Sequence, residues 1–248
     1  MLTATFLHCQ GVGEVTERDL WGSGIRSWSD FLERSEQSLP PRARSQLVRE
    51  HVAESAKRLA ARDGAWFARM LRPAHHWRVY PELGRRIAYL DIETTGGYGP
   101  GDLTVVGLYD GLRVRQFVKG DNLDEFPEAL AGVELIVTFF GTGFDLPFLR
   151  RAFRMEFPQP HVDLCFALKR LGYRGGLKSV ERQFGIRRSN ETEGLTGMDA
   201  VRLWAEYQRG NEAALHTLLS YNAEDITSLE TLWLAAYPRL VEHCGAPS

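Results

Sequence analysis

A run of strand-forming residues that carries two carboxylates one residue apart and stops at a glycine pair constrains this chain most: residues 88–97 read AYLDIETTGG. In a strand, side chains at i and i+2 project from the same face. Asp91 and Glu93 therefore share one side, and Ile92 takes the other. Two like charges crowded near the end of an apolar strand repel each other, so something must offset them. Solvent at a sheet edge or a nearby arginine is one offset. A divalent cation, which takes several oxygen ligands at short range, is another. Gly96 and Gly97 let the chain turn tightly and let a ligand approach the backbone.

The segments around this strand set the fold class. From Ile87 the sequence changes to short apolar runs: IAYLDI, then LTVVGLYDGLRVRQFVKG as a hairpin turned at Asp110-Gly111, then ELIVTFF as a buried strand. A short helix is expected near 123–131. Helices are predicted over 145–154, 164–171, 177–184 and 198–209, with a long one from Asn211 to Tyr237. Strands first and helices later predict an α/β domain, a mixed sheet with helical cover, with IAYLDI as a central strand. Upstream, Gly11, Gly13, Gly22 and Gly24 punctuate short helical segments. A long helix follows the Pro40-Pro41 pair, with Leu47, Val48, Val52, Ala56 and Leu59 on one face, and residues 72–86 read as a connector. The expected division is a helical region over 1–83 and a larger domain over 84–240.

Two further carboxylates stand in suggestive places. Asp145, in IVTFFGTGFDLPFL, follows a strand and a glycine-rich loop and opens a helix. A capping role and a metal-facing role are both open there. In LLSYNAEDITSLETL, Tyr221 and Asp225 lie four apart and share a helix face, which Leu218, Leu229, Leu232 and Trp233 turn inward. They either bond each other, or Asp225 holds a metal while Tyr221 meets a water. Glu224 falls on another face and is expected to be solvated.

Taken together, LDIETTG, the FD after a strand and YNAED on a late helix resemble the DEDD exonucleases of ribonuclease-H-like fold, and the Tyr four before the last Asp marks their tyrosine subgroup. VTFFGTGFDLPFLRRAF, HVDLCFALKR, GLKSVERQFGI and LLSYNAEDITSLETLW are similar to blocks of the YprB-like branch, over about residues 76 to 237. The resemblance implies a ribonuclease-H-like mixed sheet flanked by helices. It implies that Asp91, Glu93, Asp145 and Asp225 hold two Mg²⁺ or Mn²⁺ ions, that Tyr221 positions the attacking water, and that the reaction is 3′→5′ exonucleolytic hydrolysis of single-stranded DNA or RNA. An Asn usually stands shortly before the FD in that family, and Phe140 takes the place here. Asp163 is expected to support the site without being a ligand. Residues 6–32 also resemble a helix-hairpin-helix element, whose glycine turn would offer N–H groups to phosphate. The competing readings are a catalytically silent nucleic-acid-binding module and a short-oligonucleotide phosphodiesterase.

Charge distribution bears on the substrate. The net charge is −2, but residues 169–188 carry seven basic residues against one acidic, a solvated helix face or a phosphate track. Arg174 and Lys178 in this stretch, with Thr94, Thr95 and Phe140, are the candidate substrate contacts; capping or turn roles are equally open for Thr94 and Thr95, and a Phe at 140 can stack on a base or, more commonly, fill the core. His75 and His76 are expected to be exposed or packing histidines. Cys9, Cys165 and Cys244 are too scattered for a disulfide framework or a zinc site. No run is long and apolar enough for a membrane span, and the N-terminal residues lack the pattern of a secretion signal. A cytoplasmic location is the expectation.

Overall fold

The computed structural model describes residues 1–80 and 82–247. It divides into two compact units. One comprises 1–85, 158–162 and the chain from Tyr237 onward; the other comprises 86–157 and 163–236.

In the first unit, α1 (Glu14–Gly22) and α2 (Trp28–Glu33) flank the turn at Gly22–Ser27, and α3 (Gln46–Ala60) and α4 (Gly64–Met70) follow. Ser27 caps α2 by accepting from the Asp30 N–H, and Asp63 caps α4 by accepting from the Trp66 N–H. The residues before Gly11 form a short 3₁₀ turn at Leu2–Ala4 and further turns, so no α-helix enters the first glycine turn. The buried stripe of α3 is Val48, Val52 and Ser55, while Leu47 and Ala56 lie exposed. Ser55 replaces the expected apolar residue because its hydroxyl bonds the buried His8 Nε2 at 2.6 Å. The stretch read as a connector is a 3₁₀ helix, Pro73–Val79, that buries His75, His76, Trp77, Arg78 and Val79. Arg78 pairs there with Glu17 at 2.8 Å, and both side chains are almost fully buried. Of the connector's expected punctuation, Pro81 lies outside the described residues.

The second unit is built on β1 (Ile87–Thr94), β2 (Leu103–Tyr109), β3 (Val114–Val118) and β4 (Leu135–Thr138). With β5 (His161–Asp163) they form a five-stranded sheet of order β3-β2-β1-β4-β5. β1 is central, antiparallel to β2 and parallel to β4. The β2–β3 hairpin turns over 110–113, where the Asp110 carboxylate accepts from the N–H groups of Leu112 and Arg113. The remaining helices are α5 (Phe126–Ala129), α6 (Asp145–Phe153), α7 (Leu164–Arg170), α8 (Leu177–Gln183), α9 (Gly197–Tyr207) and α10 (Glu212–Cys244). The last continues past Pro238, where a stop was expected. A proline inside a helix removes its own N–H from the ladder and crowds the carbonyl four residues earlier, and the burial of Leu240 two residues later offsets that cost.

Alternation along β1 sorts its side chains between two cores. Ala88, Leu90 and Ile92 join Val106, Leu108, Ile136, Phe126, Leu146, Phe148 and Leu149 on one face. On the other face Val105 packs with Ala200, Leu203, Trp204, Leu218 and Tyr221, from α9 and α10. Asp91 and Glu93 project to this second side, towards α10. This is a mixed sheet flanked by helices, an α/β fold of the ribonuclease-H kind.

Candidate metal and nuclease site

Two elements bring three of the four expected carboxylates together. β1 presents Asp91 and Glu93, paired with Gly107 and Val105 of β2, and the register shifts between Glu93 and Thr94 as the strand ends. α10 presents Asp225 from the opposite wall. One carboxylate oxygen from each of Asp91, Glu93 and Asp225 lies within 4.8 Å of the others. Glu93 and Asp225 are buried, and Glu93 Oε1 has no hydrogen-bond partner among the described residues.

Asp145 is the first residue of α6, and the N-cap position belongs to Phe144, whose side chain makes no cap bond. Of the two roles open to Asp145, capping is therefore not the one it plays. The carboxyl is buried, and the N–H groups of Asp145 itself and of Ile92 hydrogen-bond it. Desolvation, with the charges of Asp163 and Asp225, holds its pKa up to about 7. Asp225 is raised to about 6, again mainly by burial, with Arg188 opposing the rise. Asp91 and Glu93 stand well above the usual carboxylate range through burial and then the charge of Asp225. Four neighbouring carboxyl groups resist ionising together, which is the electrostatic state a hard cation relieves.

Tyr221 is buried beside this cluster. Burial and the charges of Asp225, Glu93 and Asp91 push its phenol far above its ordinary pKa, so it stays protonated. Lys178 Nζ lies 4.3 Å from the Tyr221 ring centroid and Arg188 Cζ lies 5.5 Å from it. Asp225 accepts a hydrogen bond from Arg188 Nη2. The same guanidinium donates from Nε and Nη2 to the two oxygens of Glu181, at 2.8 and 2.7 Å.

A glycine admits the last support of the site. Asn222, fully buried on α10, donates from Nδ2 to Asp91 Oδ2 at 3.0 Å and accepts from Gln116 Nε2 at 3.1 Å. It can do so because Gly107 lies opposite: a Cβ there would fall 2.1 Å from Asn222 Oδ1. Asn222, Arg188 and Glu181 did not emerge from sequence reasoning. Asn222 left a signal, since it stands three residues before Asp225 and so on the same inward face. Arg188 closes the basic run, but nothing local distinguishes it from Arg187.

The candidate substrate contacts lie in several settings. Thr94 Oγ1 accepts from the Gly96 N–H and the Thr95 hydroxyl bonds the Asp102 carboxylate, so both shape the turn after β1. Arg174 is exposed. Phe140 is 51% exposed and has φ +64°, a left-handed conformation that asparagine adopts readily and a bulky residue rarely does. Asp163 holds it there: its carboxylate accepts from the N–H groups of Phe140 and Thr142 at 2.8 and 2.9 Å, and of Cys165 at 3.1 Å. Glu224, expected to be solvated, instead accepts from the Ser189 N–H and the Thr192 hydroxyl and holds the 189–192 loop.

Residues 88–237 match the RNase_H superfamily, and the chain belongs to it. No curated protein matches the chain. Among solved structures it is similar to the family B DNA polymerase from the hyperthermophilic archaeon Pyrobaculum calidifontis, at 18% identity and a TM-score of 0.48. That likeness covers 65% of this chain and 27% of the polymerase, so the chain spans about a quarter of that protein's length. It is also similar to Brucella melitensis NrnC with bound Mg²⁺, at 24% identity and a TM-score of 0.42, over 66% of this chain and 77% of that one. Among the described residues no helix is long and apolar enough to cross a membrane.

Proposed function

We propose that the chain is a metal-dependent 3′→5′ exonuclease acting on single-stranded DNA or RNA, of the tyrosine subgroup of DEDD enzymes and their YprB-like branch. The observation that carries this is the meeting of Asp91, Glu93 and Asp225, far apart in sequence, within 4.8 Å beside Tyr221. Hard carboxylate oxygens, one of them buried without a partner, fit Mg²⁺ or Mn²⁺. Asp91, Glu93, Asp145 and Asp225 would hold two such ions, which supply a nucleophilic water and neutralise charge on the leaving oxygen.

The chain's own groups do the rest. Tyr221, which burial and the neighbouring carboxylates keep protonated in the metal-free protein, orients the attacking water through its hydroxyl. Asn222 fixes the rotamer of Asp91. Arg188, held by Glu181, fixes Asp225. Lys178 and Arg174 on the basic stretch, Phe140 on its left-handed turn, and Thr94 and Thr95 are the proposed substrate contacts. We further propose that residues 1–83 form a separable helical unit that raises affinity for nucleic acid. Its glycine turn at Gly11–Gly13 borders a cavity of about 590 Å³ that Arg69 and Arg72 also line, which favours a phosphate contact.

The test is incubation of single strands labelled at either end, DNA and RNA, with Mn²⁺. Stepwise shortening from the 3′ end is expected. Binding without cleavage would establish the silent module instead, and cleavage confined to the shortest strands would establish the oligonucleotide phosphodiesterase.

A further inference from the structure

Beside the carboxylates the second unit contains a cavity of about 690 Å³. Its wall carries four cations, Lys178, Arg182, Arg187 and Arg188, with the polar residues Asn190 and Thr196. Two carboxylates, Glu181 and Glu193, also line it, but Glu181 is already taken by the two hydrogen bonds from Arg188. The remaining balance is cationic.

Two donors on this wall lack acceptors among the described residues. Arg188 Nη1 is buried and makes no hydrogen bond, although the Arg188 side chain is only 8% exposed. Lys178 Nζ is equally enclosed and equally without a partner. A buried donor without an acceptor is costly, and both side chains lie against the Tyr221 ring, Lys178 Nζ 4.3 Å and Arg188 Cζ 5.5 Å from its centroid. Glu181 fixes the guanidinium plane through Nε and Nη2, which leaves Nη1 as the arm that can serve a ligand. An acceptor with several anionic oxygens and room to sit in a cavity answers all of these features. A phosphate group is such an acceptor.

We propose that this cavity is a phosphate subsite in which Lys178 Nζ and Arg188 Nη1 bind the phosphodiester next to the scissile one, with Arg182 and Arg187 extending the track. The proposal rests on the nuclease reading for the identity of the strand. Because Arg188 also holds Asp225, the subsite ties the strand's position to a carboxylate of the reactive cluster.

The experiment measures binding, not turnover. Fluorescence anisotropy follows a short labelled oligothymidylate, with Ca²⁺ in place of Mn²⁺, as single phosphates are replaced one at a time by uncharged methylphosphonate. In the wild type one position should weaken binding about tenfold or more, the scale of a lost charge-assisted bond. In Lys178→Gln that penalty should shrink to about threefold or less, and the slope of log affinity against log salt should fall by about one. Arg182→Gln, on the outer track, should give the same kind of coupling at the neighbouring phosphate and serves if Lys178→Gln does not fold. A methylphosphonate penalty that is the same in wild type and variants, or the lack of any sensitive position, overturns the subsite. If the strand shortens with Mn²⁺ but shows no coupling, the subsite alone falls. If coupling is present without shortening, the subsite stands and the nuclease reading falls.

Discussion

Gly107→Ala is the smallest change that should disturb the acidic cluster without touching a carboxylate. The added methyl would sit 2.1 Å from Asn222 Oδ1 and under 3 Å from the rest of the amide, where ordinary contact needs about 3.5–4.0 Å. Asn222 is fully buried and cannot swing into solvent. It must give up its bonds to Asp91 and Gln116, or α10 must move off the sheet. Losing two buried hydrogen bonds, with some overpacking, costs about 2–4 kcal/mol. Alanine in a strand returns about 0.5–1 kcal/mol relative to glycine, so the net loss should be about 1–3 kcal/mol. Asn222→Ala alone should lose about 1–3 kcal/mol, because Asp91 and Gln116 are left without their partner. The double variant should lose little more than Asn222→Ala, since the second methyl enters the space the amide vacated. The two changes should therefore couple by about 1–3 kcal/mol. Urea unfolding of the four proteins measures this. Gly107→Ala within about 0.5 kcal/mol of wild type, or strict additivity, refutes the reasoning.

Other expectations concern the chemistry and its setting. Tyr221→Phe should lower turnover by roughly 10²–10⁴-fold while Mn²⁺ binding by calorimetry is unchanged; unchanged turnover would make the phenol a packing group. The raised pKa values of Asp145, about 7, and Asp225, about 6, mean that the folded metal-free protein retains protons that the unfolded chain releases near pH 4. Their stabilising contribution is full below about pH 4 and is lost as the pH rises to about 7. The metal-free melting temperature should drop across that window and the gain on adding Mn²⁺ should grow. A metal-free protein that becomes more stable between about pH 5 and 7 would contradict this. Arg69→Gln with Arg72→Gln should reduce the salt slope of strand binding by about one to two and leave turnover at saturating strand unchanged; a fall in that turnover would show that the N-terminal unit does more than bind.

Much of the second unit was legible because it follows simple periodicities. Alternation in IAYLDI placed Asp91 and Glu93 on the side opposite Ile92, and helical spacing put Tyr221 and Asp225 on one inward face. What was hidden depends on contacts between distant segments. That Arg188 reaches both Glu181 and Asp225, or that Gly107 is small for the sake of Asn222, follows from how α8, α10 and β2 pack, and no local pattern encodes it. The stretch at 73–79 read only as a connector for a related reason: its burial rests on Arg78 meeting Glu17, far away in sequence. Phe140 is legible only as an oddity in sequence. Its left-handed backbone, and the Asp163 carboxylate that holds it, come from the loop between β4 and α6.

Asp225→Asn tests the central claim most directly, with turnover and melting temperature measured on the same purified protein. The substitution keeps shape and removes one charge from a crowded acidic cluster, though the bond from Arg188 loses its charge assistance. A neutral amide is a poor ligand for a hard divalent cation in competition with water. The account predicts that Mn²⁺-dependent shortening of a labelled single strand disappears while the protein stays folded, with a smaller rise in melting temperature on adding Mn²⁺. A folded Asp225→Asn protein that shortens the strand at the wild-type rate would contradict it.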